Sequence, residues 1–370
     1  MKYAALALLL AGATLAGQTK PRARDLGIAF DGEPGPMNAI TDVRGVEVGF
    51  TTLIQGDAVR TGVTAILPRG KDSNDPVFAA WFSQNGNGEM TGTTWIDEGG
   101  FMEGPVFITN THSVGVVRDA AVAWSVKQGK TFQPWSLPVV AETWDGTLND
   151  INGFHVKPEH VFAALESASR GPVAEGNVGG GTGMICYEFK CGTGTASRRL
   201  PQEAGGYTVG VLVQANHGRR PELRVGGVPV GKAIPVPAVP KPGGLPPAVE
   251  EQGSIIIVVA TDAPLLPHQL ERIARRATMG LARTGATSGN GSGDIFLAFS
   301  TANDGVAAAP REIHVNMLSN ARISGLFSAT VEATDEAIIN ALVAAETMTG
   351  VEGHRVEAIP HERVRELMKR

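Results

Sequence analysis

Only two cysteines, Cys186 and Cys191, occur in 370 residues, so no disulfide framework holds this chain together. Five positions apart on a continuous strand they point to opposite faces, which argues against a bridge unless the chain turns between them. They read as two ordinary small residues. The eight histidines are scattered without an HExxH array, and no further ligands flank the cysteines, so neither metal nor cofactor is expected. A basic stripe is also missing. The formal net charge is −5 with the two signs interspersed, which speaks against nucleic acid as a partner. Beyond residue 20 no apolar run approaches membrane-spanning length. The 47 glycines form short polar clusters without a period, which excludes collagen-like and repeat architectures.

What is present begins at the N-terminus. Lys2, the apolar run Tyr3 to Leu10 and the small residues up to Gly17 resemble an export signal over residues 1–17. Gln18 stands where a lipid-anchor cysteine would be. A soluble protein, periplasmic or secreted, is expected. With 42% hydrophobic side chains the remainder can bury a large core in one domain or two.

The chain's most informative junction is Gly253-Ser254. Six prolines between Pro235 and Pro247 forbid a helix interior or central strand, so the approach reads as an exposed connector. Ser254 then opens the run Ile255-Ile256-Ile257-Val258-Val259, which has the character of a strand covered on both faces. A hydroxyl residue directly after a glycine carbonyl, at the mouth of a buried strand, suits a peptide bond that the serine itself attacks. Gly-Ser also simply ends loops. Val59–Leu67, Val106–Thr109 and Tyr207–Ala215 read as further strands. Ser113–Gln128, a segment opening at Pro158, Pro267–Thr284 and Thr334–Met348 read as helices, the last with Thr334 as cap. Strands and helices sharing one core across the junction imply layers of helix and sheet.

Four polar clusters can carry chemistry. Glu142-Thr143-Trp144-Asp145 follows an apolar run and offers a carboxylate for a substrate ammonium, or else a solvated loop. Gly176 to Gly183 lacks the GKS/T of a phosphate loop, and close backbone approach is the simpler use of its glycines. Asn216, at the end of a strand, can donate its amide to an oxyanion or sit in a turn. Ser292-Gly293-Asp294 lacks the flanking glycines of a nucleophile elbow. It reads as a hydrogen-bonded relay to another nucleophile, or as a turn with a capping aspartate.

Taken together, Arg22 to Gly27, Asn38 to Val43, Asn110 to Gly115, Glu175 to Met184 and Ala260 to Leu265 resemble the L-aminopeptidase/D-esterase (DmpA) and β-peptidyl aminopeptidase (BapA) family, in the family's order over nearly the whole mature chain. The resemblance implies an α/β fold, a four-layered α/β/β/α sandwich like that of Ntn hydrolases and ornithine acetyltransferases. It implies cleavage between Gly253 and Ser254 into fragments 18–253 and 254–370 of one catalytic domain, assembled as a homo-oligomer of tetramer type. Ser254 is then the nucleophile, Ser292 and Asp294 its supporting pair, Asn216 the oxyanion amide and Glu142 the acid that receives the free amine of a small peptide, amide or ester. Two positions depart from the family pattern. Trp144 stands where aminopeptidase relatives carry tyrosine and has no phenol to donate; Asp294 stands where β-peptidases carry glutamate. Freed by cleavage, the Ser254 α-amine has an ordinary pKa of about 7.7 to 8.0 and can act as base near neutrality. The expected activity is that of an exported serine aminopeptidase. A preference for β-amino acids, an ornithine-acetyltransferase-like transferase (which uses threonine at the cut) and a non-catalytic binding protein are the alternatives.

Overall fold

In the computed structural model, which describes residues 20–129, 131–234, 253–308 and 311–369, most of the buried apolar residues fall into three successive layers, with a small separate cluster of Leu148, Met348 and Val356. The chain enters through β1 (Glu47–Gln55), β2 (Val59–Leu67) and β3 (Val77–Gly86). Then come α1 (Thr93–Gly99), β4 (Phe101–Met102), β5 (Val106–Asn110), α2 (Val114–Gln128) and β6 (Val139–Thr143). Next are α3 (Pro158–Ser167), β7 (Ile185–Cys186), β8 (Phe189–Lys190), β9 (Thr193–Arg199), β10 (Thr208–Asn216) and α4 (Val230–Ala233). The last are β11 (Ser254–Thr261), α5 (Pro267–Arg283), β12 (Gly293–Ser300), α6 (Ser324–Val343) and α7 (His361–Met368). The export signal and most of the proline-rich connector expected from the sequence lie outside the described residues.

Two sheets face one another. One has the order β1-β2-β5-β6, the other β4-β3-β12-β11-β10-β9. Between them pack Val48, Ile66, Ile108 and Ala141 from the first and Leu212, Ile256, Val258 and Leu297 from the second. The alternate residues of the second sheet, Val211, Ile257 and Phe296, face α5 and α6 through Ile273 and Ile338. The outer face of the first sheet, Val63, Phe107 and Val140, is covered by Val117 of α2 and Val161 of α3. The result is the expected four-layered α/β/β/α sandwich. It explains why β11 reads as an unbroken apolar run, since both of its faces are covered and all eight residues are buried.

The helices follow from their own sequences. Pro267 occupies the first turn of α5, where its missing N–H is no loss. Leu270, Ile273, Ala274, Ala277 and Leu281 form the buried stripe, and Gly285 follows at φ 98°. The helix expected over Thr334–Met348 is corrected: α6 starts ten residues earlier at Ser324 and ends at Val343. Thr334 lies inside it, fully buried against Gly280 of α5, where a Cβ would come within 2.5 Å of the Thr334 Cβ. Because the C-terminal half of α6 is buried almost all round, apolar spacing gives no edge from which to place its start.

A second correction concerns the cysteines. Cys186 and Cys191 form a disulfide, with Cα atoms 5.3 Å apart. Cys186 ends β7 and Phe189 begins β8. The two-residue turn between them puts Tyr187 and Glu188 at φ 51° and 60°, so the segment is a hairpin and opposite-face geometry does not apply.

Candidate active site

Ser254 opens β11 in register with Asn216 on antiparallel β10 and with Gly293 on parallel β12. Four of the sequence-derived site residues, Ser254, Asn216, Ser292 and Asp294, thus meet at one end of the six-stranded sheet, the last two flanking Gly293. Ser254 is 7% exposed, and its alternation with Ile256 and Val258 turns its side chain toward the space between the sheets. Immediately before it, the Gly253 carbonyl accepts a hydrogen bond from the Gly293 N–H (3.2 Å). Glycine at 253 is required sterically, because a Cβ would lie 2.4 Å from the Asn216 carbonyl oxygen and 2.6 Å from His217 Cα.

Ser292 and Asp294 do form a hydrogen-bonded pair. Ser292 Oγ donates to Asp294 Oδ2 (3.0 Å), and Asp294 Oδ1 accepts from the Ile255 N–H (3.2 Å), next to Ser254 in the chain. Asn85 Nδ2 donates to Ser292 Oγ (3.0 Å), which turns the serine's own proton toward the aspartate. Asn85 stands opposite Asp294 where the β3–β12 register shifts. The extra residue, Gln84, is a bulge of the kind that re-aims side chains beside active sites.

Asn216 is held from two sides. Its Oδ1 accepts from the Ile185 N–H of the disulfide-closed hairpin (2.9 Å), and its Nδ2 donates to the Trp144 carbonyl (2.9 Å). The amide group carries two protons, so the second is not committed to Trp144. Trp144 therefore reaches Asn216 through its backbone. Its ring, 37% exposed, covers Gly146, where a Cβ would come within 2.5 Å of it.

Glu142 lies at the end of β6, 3% exposed. Its Oε1 accepts from the Glu89 N–H (3.0 Å) and its Oε2 from the Thr111 hydroxyl. Burial pushes its carboxyl above the ordinary glutamate range. The Thr111 and Glu89 hydrogen bonds and the positive field of His112 oppose that shift. Gly88 packs closely here: a Cβ on it would lie 3.3 Å from Glu142 Oε1 and 3.1 Å from Gly293 Cα, tighter than an ordinary contact. The carboxylate and Gly293, the strand partner of Ser254, thus both lie against Gly88. Deeper in, buried Asp145 accepts from Asn149 Nδ2 (3.0 Å), and desolvation raises it to about 7. His217, stacked edge-on to Tyr187, is lowered by burial to about 3 and is neutral; neither ring nitrogen has a hydrogen-bond partner among the described residues.

Sequence reasoning assigned no role to Asn85, Gly88, the Glu89 N–H, Thr111 or the hairpin at Ile185. Thr111 lies in one of the motifs that carried the resemblance, whereas Asn85-Gly86-Asn87-Gly88 looks like any polar turn. Among the described residues no group of three or more histidine, cysteine or acidic side chains is placed to hold a metal.

A serine opening a central strand of an α/β/β/α sandwich, with an amide on one neighbouring strand and a Ser-Asp pair on the other, places the molecule in the Ntn-hydrolase-like class of hydrolases. The chain belongs to peptidase family S58, whose family model matches residues 38–356. Over 389 aligned residues it is 53% identical to the β-peptidyl aminopeptidase BapA of Sphingosinicella microcystinivorans, covering 100% of this chain and 98% of that protein. It is 49% identical to the BapA of Sphingosinicella xenopeptidilytica, covering 98% and 94%. Among solved structures, a Burkholderia sp. β-aminopeptidase superposes with a TM-score of 0.86 at 50% identity, covering 94% of this chain and 98% of that one. The L-aminopeptidase D-Ala-esterase/amidase of Ochrobactrum anthropi gives 0.86 at 49%, covering 95% and 98%. The protein is an aminopeptidase.

Proposed function

We propose that the chain cuts its own Gly253–Ser254 bond and then uses Ser254 to release N-terminal β-amino acids from small peptides, amides or esters. The observation that carries this reading is the register of Ser254 between Asn216 and Gly293, with the Gly253 carbonyl already hydrogen-bonded to the Gly293 N–H. In the precursor, Ser254 Oγ attacks the Gly253 carbonyl carbon, and the negative charge developing on its oxygen faces that N–H. The acyl group moves from nitrogen to oxygen. Water then hydrolyses the ester, leaving a Gly253 carboxylate and a Ser254 α-amine.

In the processed enzyme this amine takes the Ser254 Oγ proton as the hydroxyl attacks the substrate carbonyl. Ser292 and Asp294 orient the amine, and the free proton of Asn216 Nδ2 serves the oxyanion. The proton passes to the leaving amine, and water releases the acyl group from Ser254. Glu142 receives the substrate's ammonium: a desolvated carboxylate is stabilised by a cation, and a blocked amine would leave it unpaired.

The β-amino acid preference is supported by the two BapA relatives at 53% and 49% identity. Export is supported by the signal-like residues 1–17 and by the Cys186–Cys191 disulfide, a bond typical of oxidising compartments. The periplasm or the exterior is the proposed location, and a tetramer of cleaved protomers, which the family resemblance implies, the proposed assembly. Comparing kcat/KM for β-alanyl and α-alanyl p-nitroanilides tests the substrate reading. Faster turnover of the β-alanyl compound is expected, and the reverse order would transfer the assignment to α-amino acids.

A further inference from the structure

Lys190, the last residue of β8, is fully buried, and the mechanism above makes no use of its side chain. Its Nζ donates to two backbone carbonyls, those of Met184 (2.8 Å) and Cys191 (2.5 Å). Burial holds the amine well below the ordinary lysine range, and no acidic side chain pairs with it among the described residues. A methionine would fill nearly the same length without that desolvation. Nor does the hairpin need the amine to satisfy Met184, because the Met184 carbonyl already accepts from the Cys191 N–H (3.0 Å). The other end of that peptide unit is the Ile185 N–H, which donates to Asn216 Oδ1 (2.9 Å), and Asn216 Nδ2 carries a second proton not committed to the Trp144 carbonyl. Two amide groups thus stand in series between a buried amine and the strand end where Asn216 pairs in register with Ser254.

We propose that Lys190 is a positioning residue for the reaction: by donating to the Met184 carbonyl it holds and polarises the Met184–Ile185 peptide, and through that peptide's N–H it fixes Asn216 as an oxyanion donor. An amide that accepts at its oxygen becomes a stronger donor at its nitrogen, and this strengthening passes along a chain of hydrogen bonds by roughly 10–30% per bond. Here the chain runs from Lys190 Nζ through the Met184–Ile185 peptide and the Asn216 side chain, and it ends on the Nδ2 proton that serves the oxyanion. The geometric part is equally direct. If the Ile185 N–H swings away, the Asn216 amide is free to turn, and its orientation decides whether nitrogen or oxygen faces the substrate carbonyl. The Cys186–Cys191 disulfide closes the same hairpin covalently, whereas Lys190 acts on the one peptide that touches Asn216. The inference rests on the oxyanion reading of Asn216.

The test is a double-mutant cycle on β-alanyl p-nitroanilide with Lys190→Met, Asn216→Ala and the two combined, with rates counted per cleaved chain by intact mass. Losing an oxyanion donor outright costs about 10²- to 10³-fold in kcat. With Asn216 present but loosened, Lys190→Met should lower kcat about tenfold and leave KM within about twofold of wild type. In the Asn216→Ala background the same substitution should change kcat by less than about twofold, because the group it acts through is gone. An equal loss in both backgrounds, which a general disturbance of the hairpin would give, overturns the proposal, as does an undiminished kcat in Lys190→Met. Should Lys190→Met fail to fold, Lys190→Gln keeps an NH2 donor on a shorter side chain. Its kcat should fall beside Asn216 and stay unchanged in the Asn216→Ala background; equal losses in both, or none in either, overturn the proposal. Asn216→Ala with undiminished kcat overturns the oxyanion reading itself, a result distinct from an impaired Asn216→Ala in which Lys190→Met causes a further loss of the same size.

Discussion

Replacing Glu142 by glutamine should separate the proposed amine recognition from the proposed self-cleavage. The change is nearly isosteric, and the structure tells how the amide would settle. The Glu89 N–H can only donate, so the amide oxygen must face it, leaving the NH2 toward Thr111, whose hydroxyl can turn to accept. The fold should survive. On the proposed role, what is lost is the pairing of a desolvated carboxylate with the substrate's ammonium. Removing one partner of such a buried pair typically costs about 3 to 5 kcal/mol. At about 1.36 kcal/mol per tenfold, that is a drop in kcat/KM of roughly two to nearly four orders of magnitude. The scissile Gly253–Ser254 bond presents no ammonium, so cleavage should persist. Hydrolysis of β-alanyl p-nitroanilide, read beside the intact mass of the same preparation, measures both. In wild type the acid limb of the pH profile should lie above the ordinary glutamate range, because burial raises Glu142, and it should disappear in the variant. Undiminished turnover of the anilide, or a folded variant that no longer cleaves itself, would refute the assignment.

Replacing both Cys186 and Cys191 by serine opens a bridge between residues five apart; chain-entropy loss predicts destabilisation by about 2 kcal/mol in urea titration. A concurrent fall in kcat is expected, since the hairpin N–H of Ile185 holds Asn216. Gly253→Ala should slow or abolish cleavage, because its Cβ would press on Asn216 and His217; time-resolved mass analysis reads this. Asn216→Ala should cost about 2.7 to 4 kcal/mol of transition-state stabilisation in steady-state kinetics if it serves the oxyanion. Asp145, raised to about 7 from an ordinary 3.8, contributes stability that is fully present below pH 3.8 and lost as pH rises through 7. Asp145→Asn should therefore lose less stability than wild type between pH 5 and 8, by an amount on the order of a few kcal/mol.

Several elements of the sandwich could be read from residue order because their signals are local, whereas its four-layered arrangement is what the family resemblance implies. The β-branched run after Ser254, the stripe of α5 behind Pro267 and the Ser292-Gly293-Asp294 triplet each state their geometry within a few residues. Other features depend on partners distant in the chain. The disulfide hides behind a hairpin whose turn residues, Tyr187 and Glu188, are not the glycine or asparagine that usually mark positive φ. The start of α6 is invisible because burial on all sides erases its periodicity. The bulge at Gln84, which brings Asn85 to Ser292, is a property of strand register alone. Trp144 shows the same limit. Its residue type excludes a phenol, but only the folded chain reveals that its carbonyl holds Asn216.

The measurement that bears most directly on self-cleavage at Ser254 is intact mass with N-terminal sequencing of purified wild type and Ser254→Ala. Two fragments from wild type, the smaller beginning at Ser254, and a single uncut chain without activity from the variant are the expected results. An uncut wild type that hydrolyses amino-acyl anilides, or a Ser254→Ala chain that is still cut there, would contradict the mechanism.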